Sequence, residues 1–121
     1  MRRPYNTNMY RALVERLSER IPRLGLGADV IAGFPGEREE DFEATSRLIE
    51  SLPFTYLHVF SYSPRQGTEA ARLPNPVPVP VIQRRSGVLR RLGRAKNLAF
   101  RKRRVGETME VLVLESRDRA T

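Results

Sequence analysis

The chain contains no cysteine, no tryptophan and a single histidine, His58, among its 121 residues. Without cysteine there is no disulfide, and no thiolate-held zinc or iron–sulfur site within the chain. One histidine makes no metal site by itself. Long apolar runs are also absent, so nothing approaches the roughly 20 residues needed to cross a bilayer. The opening Met1-Arg-Arg-Pro-Tyr-Asn6 lacks the apolar stretch that follows the charged start of a secretion signal, which makes a cytoplasmic location the expectation. Acidic residues are missing altogether from residues 84–104, which hold ten Lys or Arg, whereas residues 37–50 carry six acids against two Arg. The net charge of +8 is therefore concentrated, and the basic end is where an anionic partner is expected.

What is present fits one modest domain, with 40% hydrophobic residues. In residues 8–21, Tyr10, Leu13, Val14, Leu17 and Ile21 recur at helical intervals, with Asn6 or Thr7 as N-cap and Pro22 as the stop. Residues 24–32 read as a short strand buried on both faces. Glu39, Glu40 and Asp41 then suit the positive end of a helix dipole, and Phe42, Thr45, Leu48, Ile49 and Leu52 give that helix one apolar stripe ending at Pro53. Residues 54–60 read as a second strand, and the alternation predicts parallel pairing with right-handed crossovers. Five prolines predict a long, stiff, exposed loop over residues 61–80. Residues 81–104 read as a helix with Val88, Leu89, Leu92, Ala95 and Ala99 beneath a basic face, and residues 108–114 as a terminal strand. Two parallel strands and three helices cannot close a sheet, so the chain is expected to be a fragment, truncated at both ends.

Two strand-to-loop junctions carry the candidate chemistry. Gly33-Phe-Pro-Gly36 opens a helix, where free amides receive a phosphate, a carboxylate or a cofactor edge, or where glycine simply permits a tight turn. Ser61-Tyr-Ser-Pro-Arg-Gln-Gly-Thr68 brings hydroxyls and Arg65 to the carboxyl end of the second strand, where Arg65 either grips an anionic ligand or ties the proline loop to an acid. His58 reads as a hydrogen-bonded strand histidine rather than an acid or base, and Glu37, Glu39, Glu40 and Asp41 as a solvated helix start. No catalytic residue and no metal ligand is assigned. Arg101, Lys102, Arg103 and Arg104 are the candidate RNA-binding residues, each neutralised phosphate adding salt-sensitive affinity.

Together, Arg2-Arg-Pro-Tyr5, Asp29-Val-Ile-Ala-Gly-Phe-Pro-Gly-Glu37, Asp41-Phe42 with Thr45, and His58-Val-Phe-Ser-Tyr-Ser-Pro-Arg-Gln-Gly-Thr68 followed by Ala70 resemble the radical S-adenosylmethionine methylthiotransferases over nearly the whole chain. His58-Val-Phe60 is most similar to the branch that acts on threonylcarbamoyladenosine in tRNA. The resemblance implies an α/β fold. Residues 1–104 would be the C-terminal half of the radical-enzyme (β/α) barrel, of TIM type, and residues 105–121 the first strand of a truncated TRAM β-barrel. It implies S-adenosylmethionine and two 4Fe–4S clusters as cofactors of the parent enzyme, none binding stably to this chain alone. Ile31 and Gly33 would lie near the adenine of S-adenosylmethionine, and Arg65 at the barrel mouth. Gly36 stands where many radical enzymes carry an acid, with Glu37 one step later, so Glu37 takes no cofactor role. Arg38 and Gln66 replace the family's common Thr and Pro.

The reading that follows is a fragment of an enzyme adding a methylthio group at C2 of threonylcarbamoyladenosine near the anticodon. Alone it is inactive, its partners being tRNA and the missing N-terminal half that holds the cluster cysteines. An alternative is a non-catalytic RNA-binding or partner-docking module built on the basic helix. A third is a piece of an open reading frame without separate function.

Overall fold

The computed structural model describes residues 6–114. Helix α1 spans Thr7–Arg20, strand β1 Gly27–Ala32, helix α2 Glu39–Ser51, strand β2 Tyr56–Ser61 and helix α3 Val79–Lys102, with a single 3-10 turn at Ala70–Arg72. The fold is mixed α/β. Asn6 caps α1 by accepting the Met9 N–H at 2.8 Å. At α2, the Asp41 carboxylate accepts the Arg38 N–H at 2.9 Å, satisfying one of the free amides of the first turn.

The two strands pair in parallel, in the register Gly27↔Tyr56 through Ala32↔Ser61, with α2 as the crossover. Helix α3 packs against both strands, and α1 joins the core through Val14. Val14, Ala32, Phe42, Ile49, Leu52, Phe54 and Leu89 form the buried cluster. Alternation along the strands sends Ala28, Val30, Leu57 and Val59 toward it. Asp29, Ile31, Tyr56, His58 and Phe60 take the opposite face, which is exposed. The expected two-sided burial of β1 is thus corrected: α3 and the core cover one face, and no element among the described residues covers the other.

The proline loop is shorter than its sequence suggests. Val79 and Pro80 occupy the first turn of α3, where a missing N–H costs no helical bond, and Pro78 is the cap. The buried stripe of α3 matches the expected one at Leu89, with Val88 and Leu92 packed beside it, and differs from it elsewhere. Ile82, Arg85, Ser86, Leu89 and Gly93 point inward, while Ala95 and Ala99 are exposed. Gly93 sets this phase, because a Cβ there would stand 3.2 Å from the Leu57 Cβ, so its absence lets α3 sit close on β2. The expected strand over residues 108–114 is not formed. With no neighbouring backbone to bond, Val111, Leu112, Val113 and Leu114 remain exposed. Two strands neither close nor define a barrel, and residues 1–5 and 115–121 lie outside the described residues. Among the described residues, no helix is long and apolar enough to cross a membrane.

Candidate functional site

Both junctions open at the carboxyl ends of the parallel strands, where ligands of such sheets bind. Tyr62 extends the pairing by donating its N–H to Ala32 O at 2.8 Å, and its ring meets Phe34 edge-on at 5.5 Å. Ser61 Oγ lies 2.8 Å from Ser86 Oγ, tying the end of β2 to α3. The loop beyond is braced from within: Thr68 Oγ1 donates to Arg65 O at 2.7 Å and accepts the Ala71 N–H at 3.3 Å. These elements enclose a cavity of about 560 Å³ lined by Asp29, Ile31, Phe60, Ser61, Tyr62, Ser63, Arg65, Thr68 and Ala70.

Of the expected cofactor residues, Ile31 and Arg65 therefore share one cavity. Gly33 does not line it. Its φ of +86° is a left-handed conformation that glycine adopts without steric cost, and a Cβ there would run into Ile82. The turn's amides are already engaged. Gly33 donates to Glu37 Oε1 at 3.0 Å, Gly36 to Asn75 O at 2.8 Å, and Glu37 to Phe34 O at 2.9 Å. Of the two readings of this turn, the tight, internally bonded one is the one observed. Arg65 makes no ion pair among the described residues, so it is not tied to a neighbouring acid. His58 is exposed and its ring meets Tyr56 edge-on at 5.3 Å; the ring makes no hydrogen bond among the described residues, contrary to expectation.

The site residue that sequence reasoning missed is Arg85. Only 4% exposed, it donates from Nη1 to Glu37 Oε1 at 2.8 Å and to Glu37 O at 3.0 Å, and from Nη2 to Glu39 Oε2 at 3.1 Å. Its guanidinium sits 5.7 Å from the centre of the Phe42 ring. A chain of contacts thus runs from α3 through Arg85 and Glu37 to the Gly33 amide. Glu37 is accordingly not part of a solvated helix start, whereas Glu39, Glu40 and Asp41 are exposed as expected. Arg84 binds Glu39 at 2.6 Å, and this hydrogen bond holds the Glu39 carboxyl below its ordinary value. The Arg38 amide does the same for Asp41.

The basic helix divides into two sets. Arg84, Arg85 and Lys96 serve the fold: Lys96 donates to the α2 C-terminal carbonyls of Leu52 at 2.7 Å and Glu50 at 3.2 Å, and burial pushes its ammonium below the usual lysine range. Arg101, Lys102 and Arg103 are exposed, whereas Arg104 is drawn under the chain, paired with Glu107 at 3.2 Å and stacked 5.0 Å over Phe100.

No protein-family model matches the chain. Close sequence relatives exist nonetheless, each named tRNA-2-methylthio-N(6)-dimethylallyladenosine synthase. The Corynebacterium urealyticum protein is 40% identical over 116 residues, 96% of this chain and 22% of its own length. Those of Ehrlichia canis and Streptomyces avermitilis are 40% and 39% identical over 93% and 98% of this chain, which covers 25% and 23% of them. The chain's homologues are tRNA methylthiotransferases. It spans about a quarter of the length of these relatives. Their names specify dimethylallyladenosine, so they lend no support to the threonylcarbamoyl branch expected from His58-Val-Phe60.

The cavity suits S-adenosylmethionine in its chemistry: Ile31 and Phe60 offer apolar surface to a base, Ser61, Ser63 and Thr68 offer hydroxyls, and Arg65 an uncommitted cation for a carboxylate. Iron–sulfur clusters do not fit this chain. It has no cysteine, and among the described residues no three His, Asp or Glu side chains gather where a metal could be held.

Proposed function

We propose that residues 1–104 are the second half of a radical S-adenosylmethionine barrel and residues 105–121 the start of a TRAM domain, within a tRNA methylthiotransferase. The observation that carries this reading is identity of about 40% over nearly the whole chain, joined to a cavity at the carboxyl ends of two parallel strands. Ile31 packs against the adenine of S-adenosylmethionine, Arg65 pairs with its carboxylate, and Gly33 holds the turn beneath. When bound, one molecule of S-adenosylmethionine would supply the adenosyl radical and a second the methyl group, the sulfur coming from a donor outside this chain. This chain's residues bind and orient the cofactor and keep one wall of the site in place. The 4Fe–4S clusters need thiolates from elsewhere, so the 121 residues alone are inactive and depend on an N-terminal half. Arg101, Lys102, Arg103 and Arg104 lie on the side that meets tRNA.

The base modified is an N6-substituted adenosine. The relatives' names support a dimethylallyl substituent, which the apolar Ile31 and Phe60 would accommodate. A threonylcarbamoyl substituent remains a second reading, which rests on the resemblance of His58-Val-Phe60 alone. Mass spectrometry of tRNA nucleosides from cells with and without the gene encoding this chain separates the two. Loss of the 2-methylthio form of dimethylallyladenosine alone supports the first, and loss of the threonylcarbamoyl counterpart the second. An unchanged nucleoside profile refutes both.

A further inference from the structure

A second cavity, of about 500 Å³, lies at the opposite, amino-terminal end of the strands, between α1, the segment leading into β2, and the last turns of α3. Four cations line it: Arg23, Lys96, Arg103 and Arg104. Against them the described residues set one ion-paired carboxylate, Glu107, 3.2 Å from Arg104 and 3.6 Å from Arg23. Arg104 Nε is buried and meets no acceptor among the described residues, although a buried N–H ordinarily finds one. Lys96 commits two of its three N–H groups to carbonyls, leaving one. Arg23 is held at φ +65° in the turn that follows α1, a conformation with a steric cost for any residue with a Cβ. Lys96 also ties α3 to the end of α2, yet together the four side chains line one cavity with positive charge that a single carboxylate only partly offsets.

We propose that this cavity is an anion site that receives a backbone phosphate of RNA, remote from the strand-end cavity. Phe100 lines the same space, and the exposed Arg101 and Lys102 continue the charge outward, as a polyanionic chain rather than a small ion would require. The RNA half of this inference rests on the proposed tRNA reading; the anion half does not.

The test titrates the full chain, ¹⁵N-labelled, with inorganic phosphate and separately with a single-stranded RNA oligonucleotide, following the arginine Nε–H signals and the salt dependence of RNA affinity. Saturable shifts of Arg104 with both probes are expected. Arg103→Gln lowers the slope of log affinity against log salt by about one. Arg47→Gln, an equal charge change on α2 outside the cavity, leaves it unaltered. Arg23→Gly adds the decisive contrast: it relieves the backbone strain, so the protein is no less stable, yet phosphate and RNA bind more weakly. Equal losses for Arg103→Gln and Arg47→Gln, or unchanged binding in Arg23→Gly, would overturn the site. Phosphate binding without RNA binding would overturn RNA as the occupant. Absence of methylthiolation in the tRNA nucleosides would overturn the tRNA reading on which the RNA arm rests, while the phosphate titration decides the anion site by itself.

Discussion

Single side chains decide the shape of the strand-end turn. Arg85 bonds two carboxylates and a carbonyl from a buried position, and its removal would leave the Glu37 carboxylate, only 15% exposed, without its partner, while the more exposed Glu39 keeps Arg84 and solvent. Arg85→Met is therefore expected to cost on the order of 3–5 kcal/mol in urea unfolding, whereas Arg84→Gln, at the exposed edge of the same group, changes the midpoint little. Gly33 and Gly36 share a left-handed backbone but not a neighbourhood. Gly36→Ala should lose about 1 kcal/mol from backbone strain alone. Gly33→Ala adds roughly 1–3 kcal/mol more, because its methyl must displace Ile82. Equal costs at the two glycines would contradict the packing described. Acid also acts at this scale. Arg84 holds Glu39, and the Arg38 amide holds Asp41, below their ordinary values, so the native chain takes up those protons less readily than the unfolded one. The stabilisation is present above about pH 4.5, the ordinary glutamate value, and fades as pH falls through the lowered one. Thermal melts of Glu39→Gln should show a shallower acid limb than those of the parent chain. The turn glycines were legible in the sequence. The Arg85 network was not, since its acids lie 46 and 48 residues away and only the fold brings them together.

Among the elements, periodicity found all three helices and both strands, because the Asn6 cap, the prolines and the apolar spacing agree locally. On α3 it placed Leu89 in the core and Val88 and Leu92 against it, but it missed Arg85, Ser86 and Gly93 and wrongly counted Ala95 and Ala99. Arg85 and Ser86 read as surface residues, and Gly93 as a mere weak helix former, until β2 is known to pass beneath them. Leu89, at 1% exposure, is the hub of this packing, and Leu89→Ala should cost about 2–5 kcal/mol. Ala95→Ser, on the side that spacing alone would have buried, should cost far less. Similar losses at the two positions would restore the sequence-based phase. The terminal strand failed for a different reason: alternation marks residues 108–114 as able to pair, but pairing needs a second backbone.

At the scale of the whole molecule, one face of the sheet is packed and the other is bare, with Ile31, Phe60 and Tyr56 exposed beside Asp29 and His58. Sequence alone conveyed the parallel pairing and the family resemblance, because both rest on local runs of residues. It pointed to Ile31, Arg65 and the Ser61–Thr68 hydroxyls of the first cavity but not to Asp29 or Phe60 beside them, nor to the second cavity, which is made by elements distant in sequence. The proposed function rests on the first of them, the strand-end cavity, for which we propose a part in methylthiolation with Arg65 as its cation. Its most direct test is the ratio of methylthiolated to unmethylthiolated N6-substituted adenosine in tRNA from cells whose only copy of the gene carries Arg65→Ala. Arg65 is exposed and makes no ion pair among the described residues, so the protein level should be unchanged. The prediction is a fall of about tenfold or more in that ratio, the loss of one ion-pair-sized interaction with the reacting cofactor. A ratio equal to that of the parent gene, at equal protein level, would contradict it.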